Sequence, residues 1–207
     1  MQGTLSGPTK PTSSDRRSKI LVSNQIELER GNFYSLYLCF CFDRLGGQDP
    51  LDYISLYANP GDSEQNIPPH WHYISFGLSD LYGDERVYGR TGDDMRSGFG
   101  FELTFRLKRE QHDTSPPTWP ATVMQSLAKY VFQTEDPLFP GDHVSWHCSL
   151  DRSGSRIHHM LMTEDPNLGT VNGPFGQVTF VQIVGVMQEE LQAAQQWNVN
   201  GKRRFFI

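Results

Sequence analysis

The chain is short of everything that would mark a secreted or membrane-spanning protein. It has three cysteines, Cys39, Cys41 and Cys148, an odd number with no Cys-x-x-Cys pair. A disulfide framework needs paired cysteines, so a reducing compartment is the simpler expectation. The apolar run at Phe33–Phe42, FYSLYLCFCF, is the longest in the chain, about half of the roughly 20 residues that cross a bilayer. It follows a polar, charged leader, which fits a secretory signal poorly. Positive charge is also in deficit: 18 basic residues stand against 24 acidic ones, a net charge of −6. The body carries no long basic stripe, which argues against direct nucleic-acid binding, because phosphate neutralisation supplies most non-specific affinity. These absences predict a cytoplasmic or nuclear protein with a neutral or basic partner and no membrane contact.

What is present is a globular composition. The chain has 207 residues, 37% of them hydrophobic and 12% aromatic, with thirteen Phe and four Trp. That length fits one domain with disordered tails, and a body of about 150 residues buries roughly two-thirds of its unfolded surface. Residues from Met1 to about Arg30 are rich in Ser, Thr, Pro and Gly, with too few apolar side chains to offset ordering entropy.

Beyond the leader the pattern is strand-like. Phe33–Phe42 fits a strand or a buried helical turn, and periodicity does not separate them. Leu51–Tyr57 is rich in β-branched and aromatic residues and runs into Asn59-Pro60-Gly61, a turn signal. In the next run Trp71, Tyr73, Ser75 and Gly77 share one face and His72, Ile74 and Phe76 the other. Both faces are apolar, so this strand should be covered on each side. Ser79–Gly98 reads as a polar connection, hairpin-like at Gly83-Asp84. Gly100–Leu107 alternates cleanly, which predicts a half-buried antiparallel strand with Glu102, Thr104 and Arg106 facing outward.

Thr118–Gln133 has the spacing of the main helix: Val123, Leu127, Tyr130 and Val131 recur on one face, and Pro120 is tolerated in the first turn. Pro137 and Pro140 cannot continue it. His143–Leu150 and Arg156–Thr163 read as further strands or extended pieces, Phe175–Val186 as a buried strand and Gln188–Trp197 as a second helix. There is no internal repeat, and the order of elements is α+β, with a mixed, largely antiparallel sheet and two main helices.

Candidate chemistry is thin. His70 and His72 share a strand face at the spacing of two metal ligands, but zinc needs at least a third, and nothing shows that His143, His147, His158 or His159 converges on them. Strand histidines that satisfy buried polar groups fit the spacing equally well. A metal-dependent hydrolase centred on His70 and His72 is the enzyme-class alternative; otherwise neither catalysis, metal nor cofactor is expected. The chain has no Gly-x-Ser-x-Gly elbow, and His147 and Cys148 are adjacent, so on a strand they face opposite ways. The acidic pairs at Asp84-Glu85, Glu135-Asp136 and Glu164-Asp165 suit solvation or a basic or histidine-containing peptide. The Gly-rich GFGFE precedes a strand, not the helix start that phosphate binding uses.

Longer segments are more specific. RLGGQDPLDYISLYANPGD, NIPPHWHYISFGLSDLYGDERV, SGFGFELTFRLKRE, PPTWPATVMQSLAKYVFQ, GDHVSW, HHMLMTEDP and FGQVTFVQIVGVMQEELQAAQQWN occur in that order. Together, from about Leu45 to Asn198, they resemble the N-terminal domain of the Suppressor of fused family of negative regulators of Hedgehog signalling. The resemblance implies a leader over 1–32, the family's domain over 33–198 and a divergent tail over 199–207. It also implies a non-enzymatic corepressor of the cytoplasm and nucleus that binds and sequesters Gli/Cubitus interruptus-type zinc-finger transcription factors. Kinases and scaffold proteins of the pathway are implied as further partners. The factor's Ser-Tyr-Gly-His segment would be held as an added β-strand between the family's two domains. Carried over by position, Tyr130 and Asp142 would contribute to that clamp, with Glu164 and Asp165 on or near the same face. A toxin-neutralising, immunity-like domain of the same fold is a further alternative.

The chain also departs from the family pattern. NFYSLYLCFCFDR puts Arg44 where the family has an aromatic before Leu-Gly-Gly, DPLFP replaces a more polar approach to Gly141-Asp142, and VNGKRRFFI diverges. The family's second domain is missing from it, which predicts a weaker clamp, with Phe33–Phe42 replacing lost packing.

Overall fold

The computed structural model describes residues 35–41, 50–80, 96–110, 112–197 and 204–206. The leader over 1–32, Arg44 and the hairpin expected at Gly83-Asp84 lie outside the described residues.

The strands are β1 (Ser35–Cys41), β2 (Tyr53–Asn59), β3 (His70–Phe76), β4 (Arg96–Lys108), β5 (His143–Ser145), β6 (His159–Glu164), β7 (Thr170–Gly173), β8 (Gly176–Val186) and β9 (Arg204–Phe206). The helices are α1 (Trp119–Thr134) and α2 (Gln188–Trp197). Among the described residues the strands form one sheet in the order β1-β2-β3-β4-β8-β6-β5-β9, with β7 paired to β8 off that path. The β4–β8 and β5–β9 pairings are parallel and the other six antiparallel. The α+β class and the mixed, largely antiparallel sheet are as the sequence pattern predicts, and within the run at Phe33–Phe42 the described residues Ser35–Cys41 form a strand.

Register explains which residues meet. Leu56, Tyr73 and Phe105 lie side by side across β2, β3 and β4, and Phe105 is followed by Ile183 on β8 and Met162 on β6. These five side chains are buried, and α1 covers them with Val123, Met124, Leu127 and Val131, also buried. The rings of Phe105 and Trp119 meet edge to face at 5.2 Å, and those of Phe99 and Phe132 at 5.1 Å. Two polar bonds fix the helix against the sheet: the Tyr73 hydroxyl donates to the Pro117 carbonyl (2.6 Å) and the Leu51 amide to Gln125 Oε1 (3.3 Å).

The helix stops before its prolines. Glu135 adopts a left-handed conformation (φ 57°) and its amide bonds the Val131 carbonyl at 2.8 Å, a cap that ends the last turn. β3 is buried at every position, as its two apolar faces predict.

One expectation is corrected and two are sharpened. β4 is not a half-exposed antiparallel strand: it pairs with β3 on one side and runs parallel to β8 on the other, and Glu102 and Thr104 are fully buried. Their alternation is genuine, but the polar face is consumed by internal hydrogen bonds. His143–Leu150 is a strand over His143–Ser145, and the Ser149–Ser155 stretch that follows turns on Asp151, which accepts from Ser153 and Ser155. Phe175–Val186 has a hairpin partner, β7, joined to β8 through Pro174-Phe175 between the paired Gly173 and Gly176.

Candidate functional site

Two carboxylates organise the interior beside β3. Where the β3–β4 ladder ends, Glu102 Oε1 accepts the amides of Gly77 (3.0 Å), Leu78 (3.1 Å) and Ser79 (2.9 Å) and the Ser79 hydroxyl (2.6 Å). Its Oε2 accepts the Ser75 hydroxyl at 2.6 Å, and Ser75 Oγ in turn accepts the Leu103 amide at 2.8 Å, standing in for a ladder carbonyl. Gly77 makes this turn possible: its φ is +137°, and a Cβ there would lie 2.7 Å from the Asp52 nitrogen. Burial, against the pull of the five donors, pushes the Glu102 carboxyl up to about 7.

The second hub is Asp165, just past β6. Its Oδ2 accepts His72 Nε2–H (3.0 Å) and the Thr104 hydroxyl (2.9 Å). Its Oδ1 accepts Arg106 Nη2 (2.7 Å) and the amides of Asn167 (2.9 Å) and Leu168 (3.0 Å). Burial alone would raise this carboxyl; the His72 hydrogen bond, the His72 and Arg106 charges and the Leu168 amide more than reverse that and hold it well below the usual carboxylate range. Asp165 is thus a clip that ties the 165–169 turn to β3 and β4.

This arrangement also accounts for the two histidines. His72 spends Nε2 on Asp165, and His70 donates from Nδ1 to the Pro68 carbonyl at 2.9 Å. The two rings are 6.0 Å apart, and no group of three or more His, Cys, Asp or Glu among the described residues is placed to hold a metal. Burial above all holds His70 below the ordinary histidine pKa, which favours the neutral ring.

Of the residues assigned to partner binding, Asp142 and Glu164 lie at β5 and β6, on the far side of β8 from β4. Asp142 opens β5; its Oδ2 accepts the Phe139 amide (2.8 Å), its own amide donates to the Phe139 carbonyl (3.0 Å), and its carbonyl accepts the Met162 amide (2.8 Å). Gly141 donates to the Met162 carbonyl at 2.5 Å, which fastens this turn to β6. Glu164, two residues beyond Met162, ends β6 and is exposed, with Oε1 3.4 Å from the Thr170 hydroxyl. Asp142 and Glu164 therefore sit on neighbouring strands. Tyr130 is half-buried on α1 and packs on the core; the 135–141 segment links that helix to Asp142.

Asp165 does not join them as a surface group. It is fully buried with both oxygens occupied, so adjacency in sequence does not make Glu164-Asp165 an exposed acidic pair. Sequence reasoning also missed the Glu102 hub. Its only signal is a glutamate inside an otherwise regular strand, opposite the Ser-Phe-Gly-Leu-Ser of residues 75–79.

A family model described as Suppressor of fused protein matches residues 47–206. Suppressor of fused homologs of human and mouse are each 67% identical over 157 residues, 76% of this chain and 32% of the relative. The chain thus spans about a third of the length of the curated relatives it matches. A crystal structure of a Sufu–Fu complex matches with TM-score 0.76 and 45% identity, over 87% of this chain and 79% of the other. The Drosophila Suppressor of Fused crystal structure matches with TM-score 0.74 and 45% identity, over 88% and 44%. A homolog from Neisseria gonorrhoeae shares the fold at 13% identity, with TM-score 0.54 over 92% and 85%.

Proposed function

Because this chain belongs to the Suppressor of fused family, we propose that it is a non-enzymatic regulator of Hedgehog signalling that binds Gli/Cubitus interruptus-type transcription factors and holds them out of action. Its partner's Ser-Tyr-Gly-His segment adds as a strand, with Tyr130, Asp142 and Glu164 supplying side-chain selectivity. The observation that carries this reading is the 67% identity, together with a family match over 47–206 that includes all three residues.

The local chemistry supports it. In this reading Asp142, only 4% exposed and with Oδ2 spent on its own turn, uses Oδ1 to accept an imidazole or hydroxyl proton from the peptide. The turn holds that carboxylate rigidly, which cuts the ordering cost of binding. Tyr130 offers an amphipathic wall already fixed by core packing. Asp165 acts from inside, holding the chain just after Glu164. A protein of this kind works in the cytoplasm and nucleus; no described helix is long and apolar enough to cross a membrane. Kinase and scaffold partners belong to the same reading, and the Sufu–Fu complex gives a precedent for protein partnership in the family.

The test is a pull-down of a Gli-type factor by wild type and Asp142→Arg. Loss of recovery with the variant supports the assigned face, and equal recovery contradicts it.

A further inference from the structure

Resting on that strand-addition reading, we infer that residues 204–206 are a resident strand on the edge the partner needs, so that an incoming peptide must displace them. The register is the starting point. β5 pairs with β6 along one side, Val144 opposite Met160, and with β9 along the other, Val144 opposite Phe205. A strand has only two hydrogen-bonding edges. A peptide that lies beside Asp142 and bonds to the main chain of His143–Ser145 therefore meets an edge that the chain's own backbone already covers.

The segment is built to be delivered there and to leave. α2, which precedes it, is fastened beside β5: Gln195 Nε2 lies 3.0 Å from His143 Nε2, and Arg156 pairs with Glu189. Six residues, 198–203, separate the end of α2 from Arg204. Such a short tether keeps the segment at an effective concentration on the order of 1 mM beside its edge. The pairing itself is only three residues long and parallel, the weaker ladder geometry, so it competes without locking. It sets a threshold: weak strand-like peptides are refused, and a peptide that also engages Asp142 and Tyr130 displaces the tail.

The test uses three proteins: wild type, the double variant Phe205→Pro/Phe206→Pro, and a chain ending at Asn200. Prolines at two successive positions remove whichever amide faces β5. Each protein is titrated with a fluorescent Ser-Tyr-Gly-His peptide, and amide exchange at 143–145 is followed in the free proteins. Removing the tethered competitor should tighten peptide binding about tenfold and speed exchange at those three positions. Equal affinity in all three proteins overturns the inference and leaves the strand-addition reading standing. Unchanged exchange at 143–145 overturns it independently of the peptide. Faster exchange with no binding by any of the three places the failure in the strand-addition reading, and the displacement falls with it.

Discussion

His72 on β3 and Asp165 beyond β6, 93 residues apart in sequence, meet through a 3.0 Å hydrogen bond with both side chains all but inaccessible to water. Because the carboxylate is held ionised by its neighbours, His72 Nε2 must carry the proton and donate it. Arg106 joins the same carboxylate at 2.7 Å, so Asp165 is the shared acceptor of an internal network.

Asp165→Ala should cost about 3–5 kcal/mol, the usual penalty for stripping a buried cation of its counter-charge. Asp165→Asn keeps an acceptor for the two turn amides and should cost less. Urea midpoints at fixed pH measure both. Since the folded carboxyl is depressed, its contribution is present above its unfolded pKa of about 3.9 and is lost as pH falls below that value. An Asp165→Ala midpoint within experimental error of wild type would show that the network is not a structural clip.

Glu102 should act in the opposite direction. Its folded carboxyl is raised to about 7 from 4.5, so between those values the folded state binds the extra proton and stability falls as pH rises. That slope is worth up to about 3 kcal/mol across the window. Glu102→Gln should flatten it, because Gln Oε1 retains the four bonds at Oε1 while Ser75 turns to accept from Nε2. Glu102→Ala leaves three buried amides unpartnered and should prevent stable folding, at about 1–3 kcal/mol for each. A wild-type pH profile indistinguishable from that of Glu102→Gln would refute the raised carboxyl.

These two hubs mark the limit of what the sequence made legible. Period-two patterning located β2 and β3, and helical spacing located α1, because both follow from burial of one continuous apolar face. The same logic misassigned Glu102 and Thr104, since alternation shows which residues share a face and not what covers it. Asp165 was visible as half of an acidic pair but not as an internal clip, because its five donors come from three separate parts of the chain. Asp142 and Tyr130 carried no signal of their own. Resemblance to a family picked them out, and the backbone then explained why Asp142 is held rigid.

His70 and His72 should not make this a zinc protein. Metal analysis of the purified chain is expected to give sub-stoichiometric zinc, unchanged by His72→Ala, although that variant should lower the urea midpoint by removing a donor to Asp165. One equivalent of zinc lost on His72→Ala would instead restore the hydrolase alternative.

The central claim is that Asp142 uses one oxygen for its turn and the other for a partner. Calorimetric titration of the Ser-Tyr-Gly-His peptide into wild type and Asp142→Asn tests it most directly. Asparagine Oδ1 can still accept the Phe139 amide, so the turn and the urea midpoint should survive while the oxygen assigned to the peptide is replaced by a donor. The expected result is an unchanged midpoint with peptide affinity reduced about 10- to 100-fold, the worth of one charge-assisted hydrogen bond. Equal affinity of the two proteins at equal stability would contradict the account.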